Sequence, residues 1–477
     1  MVSFYTLGCK LNQLETESIA DSFRNAGFTV LPWFLPVLKE KRQLNNTTIP
    51  ELCIINTCTV TSKAEQKARR MIRLCLSYGC IVLVTGCYAQ LEREELAALG
   101  NKLFILPGQL KDKLLDLPSS LAAAGIGQLS LEISRWCQNI NKTPDETVSA
   151  FRFNPQHFIY HSRAFLKIQD GCDRSCAYCR VPLARGKSIS LSSKEALCRL
   201  QALEKKGMAE AVITGVNICQ YRDPYNPAIT LPALLKYLLD NTSTIALRLS
   251  SIEPEFLSKR LDSDFFSVLS HQRIRNHFHL SVQSGSNTIL AAMGRPYQAN
   301  DVIYAAEKLR TIRDDPFLAC DIICGFPGET DDEFNKTITL CQKINFAWIH
   351  AFPYSKRPGT PAASIRIGQV NQNTTGKRVH ALLELAKQGK NAYIRRWQGK
   401  TIIAVSESIS EQTISENDNL QYFPAITDNY IKIAVLETTG KRPKPGTSFS
   451  CKISKILEKN TLPSSRAVPD GFDAWGE

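Results

Sequence analysis

Residues 51–79, ELCIINTCTV followed by TSKAEQKARRMIRLCLSYG, join a β-branched apolar run to a stretch that opens on a Thr/Ser cap and stops at Gly79. The run is short and almost unbroken, as in a strand covered on both faces, and the capped stretch has the start and stop signals of a helix. Cys58 stands at the junction. The same unit recurs on either side: VSFYTLGCK leads into NQLETESIADSFRNAGF, with Ile19 and Phe23 at helical spacing before Gly27, and CIVLVTGCYAQ leads into LEREELAALG. Three strand-then-helix units predict a parallel, doubly wound sheet.

Each unit carries one cysteine just past its strand: Cys9, Cys58 and Cys87. The carboxyl ends of parallel strands share one edge, where ligands bind, so these three thiols are expected to converge. A free cysteine is ordinarily a small buried hydrophobe. Recurrence at one topological position, beside Gly8, Thr57 and Gly86, argues instead for a ligand set.

Further along, FLKIQDG, AEAVITGVN, IALRLSSIEP, HFHLSVQSG, ACDIICGFPG and FAWIHAFPY read as strands, mostly followed by helical stretches. Six such units predict an α/β barrel or an incomplete one. After NAYIRRWQGK the pattern changes to TIIAVSES, NYIKIAVLE and SFSCKISKIL, the mark of a small all-β domain. The expected division is 1–130, a linker at 131–163, 164–396, 397–460 and a tail at 461–477. PWFLPVLKEKRQLNNTTIP, residues 32–50, reads as a loop insertion with three prolines.

The 477 residues, 43% hydrophobic and 22% charged, are those of a globular protein of two or three domains. No apolar run approaches the roughly 20 residues of a membrane helix, and MVSFYTLGCK lacks the features of a signal peptide. A cytoplasmic protein without a membrane partner is therefore expected. Sixteen cysteines in a chain of this size point to metal or redox work rather than to disulfides. A net charge of +13 favours a polyanionic partner. Candidate phosphate and base contacts are Lys67, Arg69, Arg70 and Arg73 after Cys58, and Arg395, Arg396 and Trp397 before the last domain. Each of these also fits an ordinary solvated face.

GCDRSCAYCR, residues 171–180, sets Cys172, Cys176 and Cys179 in the spacing C-x3-C-x2-C at the end of the first barrel strand, the functional face of such folds. A closed zinc site needs a fourth ligand, and Cys198 and Cys219, the nearest downstream, stand alone. A cubane iron-sulfur cluster on three thiolates keeps one iron open to a substrate or cofactor.

This loop resembles the signature of radical S-adenosylmethionine enzymes, and the wider chain resembles the methylthiotransferases among them. TLGCKLN, INTCTV and VTGCYAQ look like the family's N-terminal cysteine motifs. CRVPLARG, HLSVQSGS, DIICGFPGET and FPYSKRPGTPAA look like its barrel motifs, and NYIKIAV looks like its TRAM domain, which in relatives helps bind RNA. The resemblance implies a central radical SAM partial barrel between a doubly wound domain and a TRAM-like β domain. It implies two 4Fe-4S clusters, one on Cys172, Cys176 and Cys179 with S-adenosylmethionine on its open iron, and one on Cys9, Cys58 and Cys87.

Tyr178 is then expected near the adenine of the cofactor, Gly215 near its methionine moiety, and Gln283, with His279 on the same strand, near cofactor or substrate. His279 also fits a hydrogen-bonded structural role. ITGVNICQY and LRLSSIEP are most similar to the branch that modifies threonylcarbamoyladenosine beside the tRNA anticodon, although Cys219 and Arg222 replace glycines usual there. The implied reaction uses S-adenosylmethionine twice. One methyl goes to sulfur on the N-terminal cluster, and one 5'-deoxyadenosyl radical removes hydrogen from C2 of the adenine, because an aromatic C–H offers no acidity for a base to exploit. The implied partners are tRNA, an electron donor and a sulfur donor. The alternatives are the same chemistry on isopentenyladenosine tRNA or a ribosomal protein, and a redox-sensing or RNA-binding protein without turnover.

Overall fold

Strands β1 (Val2–Thr6), β2 (Val30–Leu31), β3 (Leu52–Thr57), β4 (Ile81–Gly86) and β5 (Leu103–Ile105) form one parallel sheet in the order β2-β1-β3-β4-β5. The structure, a computed structural model, describes residues 1–31, 49–122, 128–142, 150–258, 263–408, 422–437, 442–457 and 472–476. The insertion expected at 32–50 lies outside the described residues except for its last two.

The period-2 geometry of a strand sorts β3 cleanly. Leu52 and Ile54 point to a core shared with Phe4, Ile19 and Phe23, while Cys53 and Ile55 point to one shared with Ile72 and Val84. That double burial is why the run reads as apolar throughout. The expected doubly wound sheet is present, with β2 and β5 added at its edges. Both edges have two or three half-exposed residues, too few to show a period. Within residues 131–163, helix Leu129–Lys142 packs Ile133 and Trp136 against the same core as Phe23.

The central region carries β6 (Ala164–Lys167), β7 (Gln169–Asp170), β8 (Ile189–Ser190), β9 (Glu210–Thr214), β10 (Ala246–Leu249), β11 (His277–Gln283), β12 (Phe317–Cys324) and β13 (Trp348–Pro353). β6-β9-β10 and β11-β12-β13 are parallel ladders, and bridges Leu247–Ile274 and Ile252–Leu280 join them into a partial barrel of six parallel strands. The short pair β7-β8 is antiparallel and brackets the cysteine loop. Outward residues such as Leu166, Ile213 and Leu247 build the main core. Phe165 and Val212 point the other way and pack with Leu14 from the N-terminal helix Lys10–Asn25. The first domain is thereby seated on the barrel.

Helix Gln372–Trp397 leads to a closed barrel of β14 (Thr401–Ser406), β15 (Tyr422–Thr427), β16 (Lys432–Leu436), β17 (Ser448–Ile456) and β18 (Ala474–Gly476), in the order β14-β15-β16-β18-β17. β14, β16 and β17 coincide with the three expected runs. β15 carries Pro424, which argues against a strand, and β18 has three residues within the expected tail, so neither shows a strand pattern. β18 pairs with both β16 and β17 and so closes the barrel. Arg248 on β10, fully buried, donates to the Thr427 and Asp428 carbonyl oxygens at 3.1 Å each and to Glu210 at 2.7 Å, docking this domain beneath the (β/α) barrel. Among the described residues no helix is long and apolar enough to cross a membrane.

Candidate active site

The three N-terminal thiols lie at one sheet edge. Cys9 caps helix Lys10–Asn25, Cys58 follows β3, and Cys87 begins helix Cys87–Leu91 after β4. The Cys58 thiol feels the charges of both Cys9 and Cys87. Gly8 makes the close approach possible. Its φ is +104°, and a Cβ there would sit 2.7 Å from the Cys58 Cβ and 2.9 Å from its Sγ. Asn12 ties the loops together, its amide donating to the Leu7 oxygen at 2.7 Å and the Thr57 oxygen at 3.1 Å.

Cys172, Cys176 and Cys179 likewise lie within electrostatic reach of one another. The Arg174 N–H points at the Cys172 sulfur and the Val181 N–H at the Cys179 sulfur, both at 3.4 Å, and the Val60 N–H meets the Cys58 sulfur at the same distance. Arg295 Nη1 donates to the Cys176 sulfur at 3.2 Å, and its Nη2 meets Glu253 at 3.0 Å. Burial first, and then the neighbouring cysteines of each triad, push the Cys58 and Cys179 thiols up to about 12, against these N–H contacts that favour the thiolate. The protein thus offers donors aimed at sulfur while burial discourages free thiolate. That combination suits thiols whose protons are displaced by a bound metal. Among the described residues no three His, Cys, Asp or Glu converge closely enough for a single ion. A multi-iron cluster spreads its thiolates further apart, and hydrogen bonds to its sulfurs are one of the protein's levers on such a group.

A cavity of about 300 Å³ opens between the first domain and the barrel, lined by Val60, Tyr178, Cys179, Gln283, Asp321 and Tyr354 among others. Both cysteine loops therefore contribute to one wall. Gln283 reaches it from a left-handed backbone, φ +66°, after an irregularity in the β11 ladder. Gly215 does not line this cavity. A Cβ there would lie 2.8 Å from the Gln169 side-chain oxygen, so the glycine makes room for buried Gln169, whose amide donates to the Gly171 oxygen at 2.7 Å below the cysteine loop. His279 does not line the cavity; its Nδ1 meets the Ser251 hydroxyl at 3.2 Å, and its Nε2 lies 3.1 Å from the cavity-lining Asp321 without hydrogen-bond geometry.

The basic candidates divide. Arg69 is held by the Tyr88 hydroxyl at 2.6 Å and Glu95 at 2.8 Å, and Arg396 by Asp315 at 2.9 Å. Lys67, Arg70 and Arg73 are exposed. Trp397 lies under the Lys400 ammonium.

Two buried charge networks escaped the sequence reading. Beside the cavity, Glu65 receives Arg357 and Arg180, and Arg180 also donates to Glu92 at 2.7 Å and to the Thr59 hydroxyl at 3.2 Å. Arg180 directly follows Cys179, and Thr59 directly follows Cys58, so this network pins one cysteine loop to the other. Beside Cys87, Arg185 donates to Asp170 at 2.9 Å, to Glu15 at 3.0 Å and to the Asn12 amide oxygen at 2.7 Å, while Lys111 and Lys167 complete the neutralisation of Glu15 at 2.6 and 3.1 Å. Burial pushes the Glu15 carboxyl up, but Arg185, Lys111 and Lys167 together hold it well below the usual range. Charged partners in these networks are up to 292 positions apart, and in the linear chain each charge reads as a solvated one.

Residues 166–341 match the Radical SAM superfamily, and residues 1–106 match Uncharacterized protein family UPF0004. The chain is similar to Threonylcarbamoyladenosine tRNA methylthiotransferase MtaB of Treponema pallidum, 39% identical, covering 95% of this chain and 98% of that one. It is similar to the protein of the same name from Bacillus subtilis, 33% identical over 91% and 89% of the two chains. It is also similar to tRNA-2-methylthio-N(6)-dimethylallyladenosine synthase of Neorickettsia sennetsu, 28% identical over 86% and 84%.

Proposed function

Because the chain belongs to the methylthiotransferases of the radical S-adenosylmethionine superfamily, in their MtaB branch, we propose that it acts on tRNA in the cytoplasm. Its reaction converts N6-threonylcarbamoyladenosine beside the anticodon to the 2-methylthio derivative. The observation that carries this reading is the 39% identity over 95% of the chain to a relative bearing that substrate in its name. The net charge of +13 supports a polyanionic substrate.

An enzyme of this family uses a 4Fe-4S cluster with S-adenosylmethionine and carries a second cluster, which together supply hydrogen abstraction at carbon and the methylthio group. In our assignment Cys172, Cys176 and Cys179 hold the first cluster, and Cys9, Cys58 and Cys87 hold the second. Arg295 balances negative charge on the Cys176 side. Tyr178 and Gln283, both in the cavity wall, contact cofactor or substrate. Gly215 acts through Gln169, shaping the backbone beneath the loop. The Arg180–Glu65–Arg357 network keeps the two loops facing one cavity and closes it against water. An external reductant and an external sulfur source complete the reaction.

Nucleoside mass spectrometry of tRNA from cells with and without the gene tests the substrate. Loss of 2-methylthio-threonylcarbamoyladenosine, with its precursor accumulating, is expected on deletion. Loss of a 2-methylthio isopentenyladenosine instead, or of a modified ribosomal protein, would reassign it. The N-terminal site has its own test. Gly8→Ala forces a side chain onto Cys58 from a left-handed backbone, so the anaerobically reconstituted protein is expected to bind about four fewer irons per chain, one 4Fe-4S cluster. Undiminished iron would count against the assignment of Cys9, Cys58 and Cys87.

A further inference from the structure

A second cavity, of about 830 Å³, adjoins the first and shares with it the wall made by Thr61, Phe352, Pro353, Tyr354 and Ser355. It lies across the domain boundary. Ser62 and Lys63 enter it from the first turn of helix Ser62–Ser77, and Ser355 and Lys356 from the loop after β13, with the Ser62 and Ser355 hydroxyls 2.8 Å apart. Its charged lining consists of Lys63 and Lys356, both exposed, and among the described residues no carboxylate lines it. In the shared wall the Tyr354 hydroxyl is buried without a hydrogen-bond partner, a condition that costs free energy unless a ligand answers it. The cavity is therefore cationic, lined with hydroxyls and adjacent to the reaction cavity.

In the adenine ring C2 and C6 flank N1. A base that turns C2 toward Cys179 and Gln283 sends its N6 substituent outward on the other side of N1. Threonylcarbamoyl carries a carboxylate and a hydroxyl, whereas dimethylallyl carries only hydrocarbon and would gain nothing from two lysines. We propose that the second cavity is the specificity pocket for the N6 substituent, with Lys63 and Lys356 reading its carboxylate. This rests on the substrate proposed above. Lys63 comes from the first domain and Lys356 from the barrel, so the anion bridges the two bodies that carry the cysteine loops.

The test uses the reconstituted holoenzyme and two anticodon stem-loop RNAs, one bearing threonylcarbamoyladenosine and one bearing its carboxamide, which differ by a single negative charge. For K63A/K356A the apparent KM on the acid RNA is expected to rise about tenfold or more, as for loss of a hydrogen bond to a charged group. On the carboxamide RNA the wild type and the variant should converge. An equal loss on both RNAs would mean that the lysines hold the phosphate backbone, and that result, like an unchanged KM, overturns the inference while leaving the substrate in place. A wild type inactive on the acid RNA but active on a dimethylallyladenosine stem-loop overturns the substrate assignment first and the pocket with it.

Discussion

Cys176→Ala is expected to abolish reductive cleavage of S-adenosylmethionine while leaving the N-terminal site loaded. Cys176 is the most deeply buried of its triad and the one that receives the Arg295 guanidinium. Loss of one thiolate of three leaves a cluster with two protein ligands, below the complement such clusters are held by. Formation of 5'-deoxyadenosine should fall to background, with total iron reduced by about four atoms per chain. The reciprocal variant Cys58→Ala should keep 5'-deoxyadenosine formation and lose the methylthio product. Full 5'-deoxyadenosine formation by Cys176→Ala would overturn the cluster assignment, and parallel loss of both activities in both variants would show that the two sites do not load independently.

The second large effect is on stability. Arg185→Met should destabilise the protein by about 3–5 kcal/mol, because removing one partner of a buried ion network leaves uncompensated charge. Glu15 and Asp170 are both buried, and Arg185 donates to each while also meeting Asn12 in the first turn of the helix that Cys9 caps. The pH dependence follows from the same charges. Glu15 and Asp170 are held below their ordinary values in the folded protein. Their contribution is therefore complete above the unfolded carboxylate range near pH 4 and is lost as pH falls through the depressed folded values. Removing Arg185 raises those folded values toward the unfolded ones, so the pH-dependent part of the stability shrinks and the gap between wild type and variant should be widest near neutral pH and narrow as pH falls below about 4. Urea denaturation of wild type and variant from about pH 2 to about pH 8 measures both effects. A loss below about 1 kcal/mol would mean that Lys111 and Lys167 suffice to neutralise the pair, as a weakly contributing ion pair would.

Strand-then-helix units are readable because β3 and β4 are buried on both faces and the helix between them, Ser62–Ser77, is capped and amphipathic. Periodicity failed at β2, β5 and β18, whose two or three residues cannot display a period, and at β15, where a proline sits in a paired strand. The ligand candidates were legible for a different reason. A cysteine placed after every strand, or three in C-x3-C-x2-C, is a spacing, and spacing survives in one dimension. The division between the six cysteines and their surroundings follows from this.

By itself, then, the linear chain determined the sheet, the partial barrel, the two thiol triads and the family to which they belong. Folding alone decided what surrounds them: that Arg295 rather than a nearer arginine meets Cys176, that Gly215 leaves room for Gln169, and that Lys63 and Lys356 share a cavity. Those facts depend on residues brought together across as many as 293 positions, as Ser62 and Ser355 are. A charged side chain carries no mark in sequence of whether it will meet water or a buried partner, since only the packing of the first domain on the barrel removes the water.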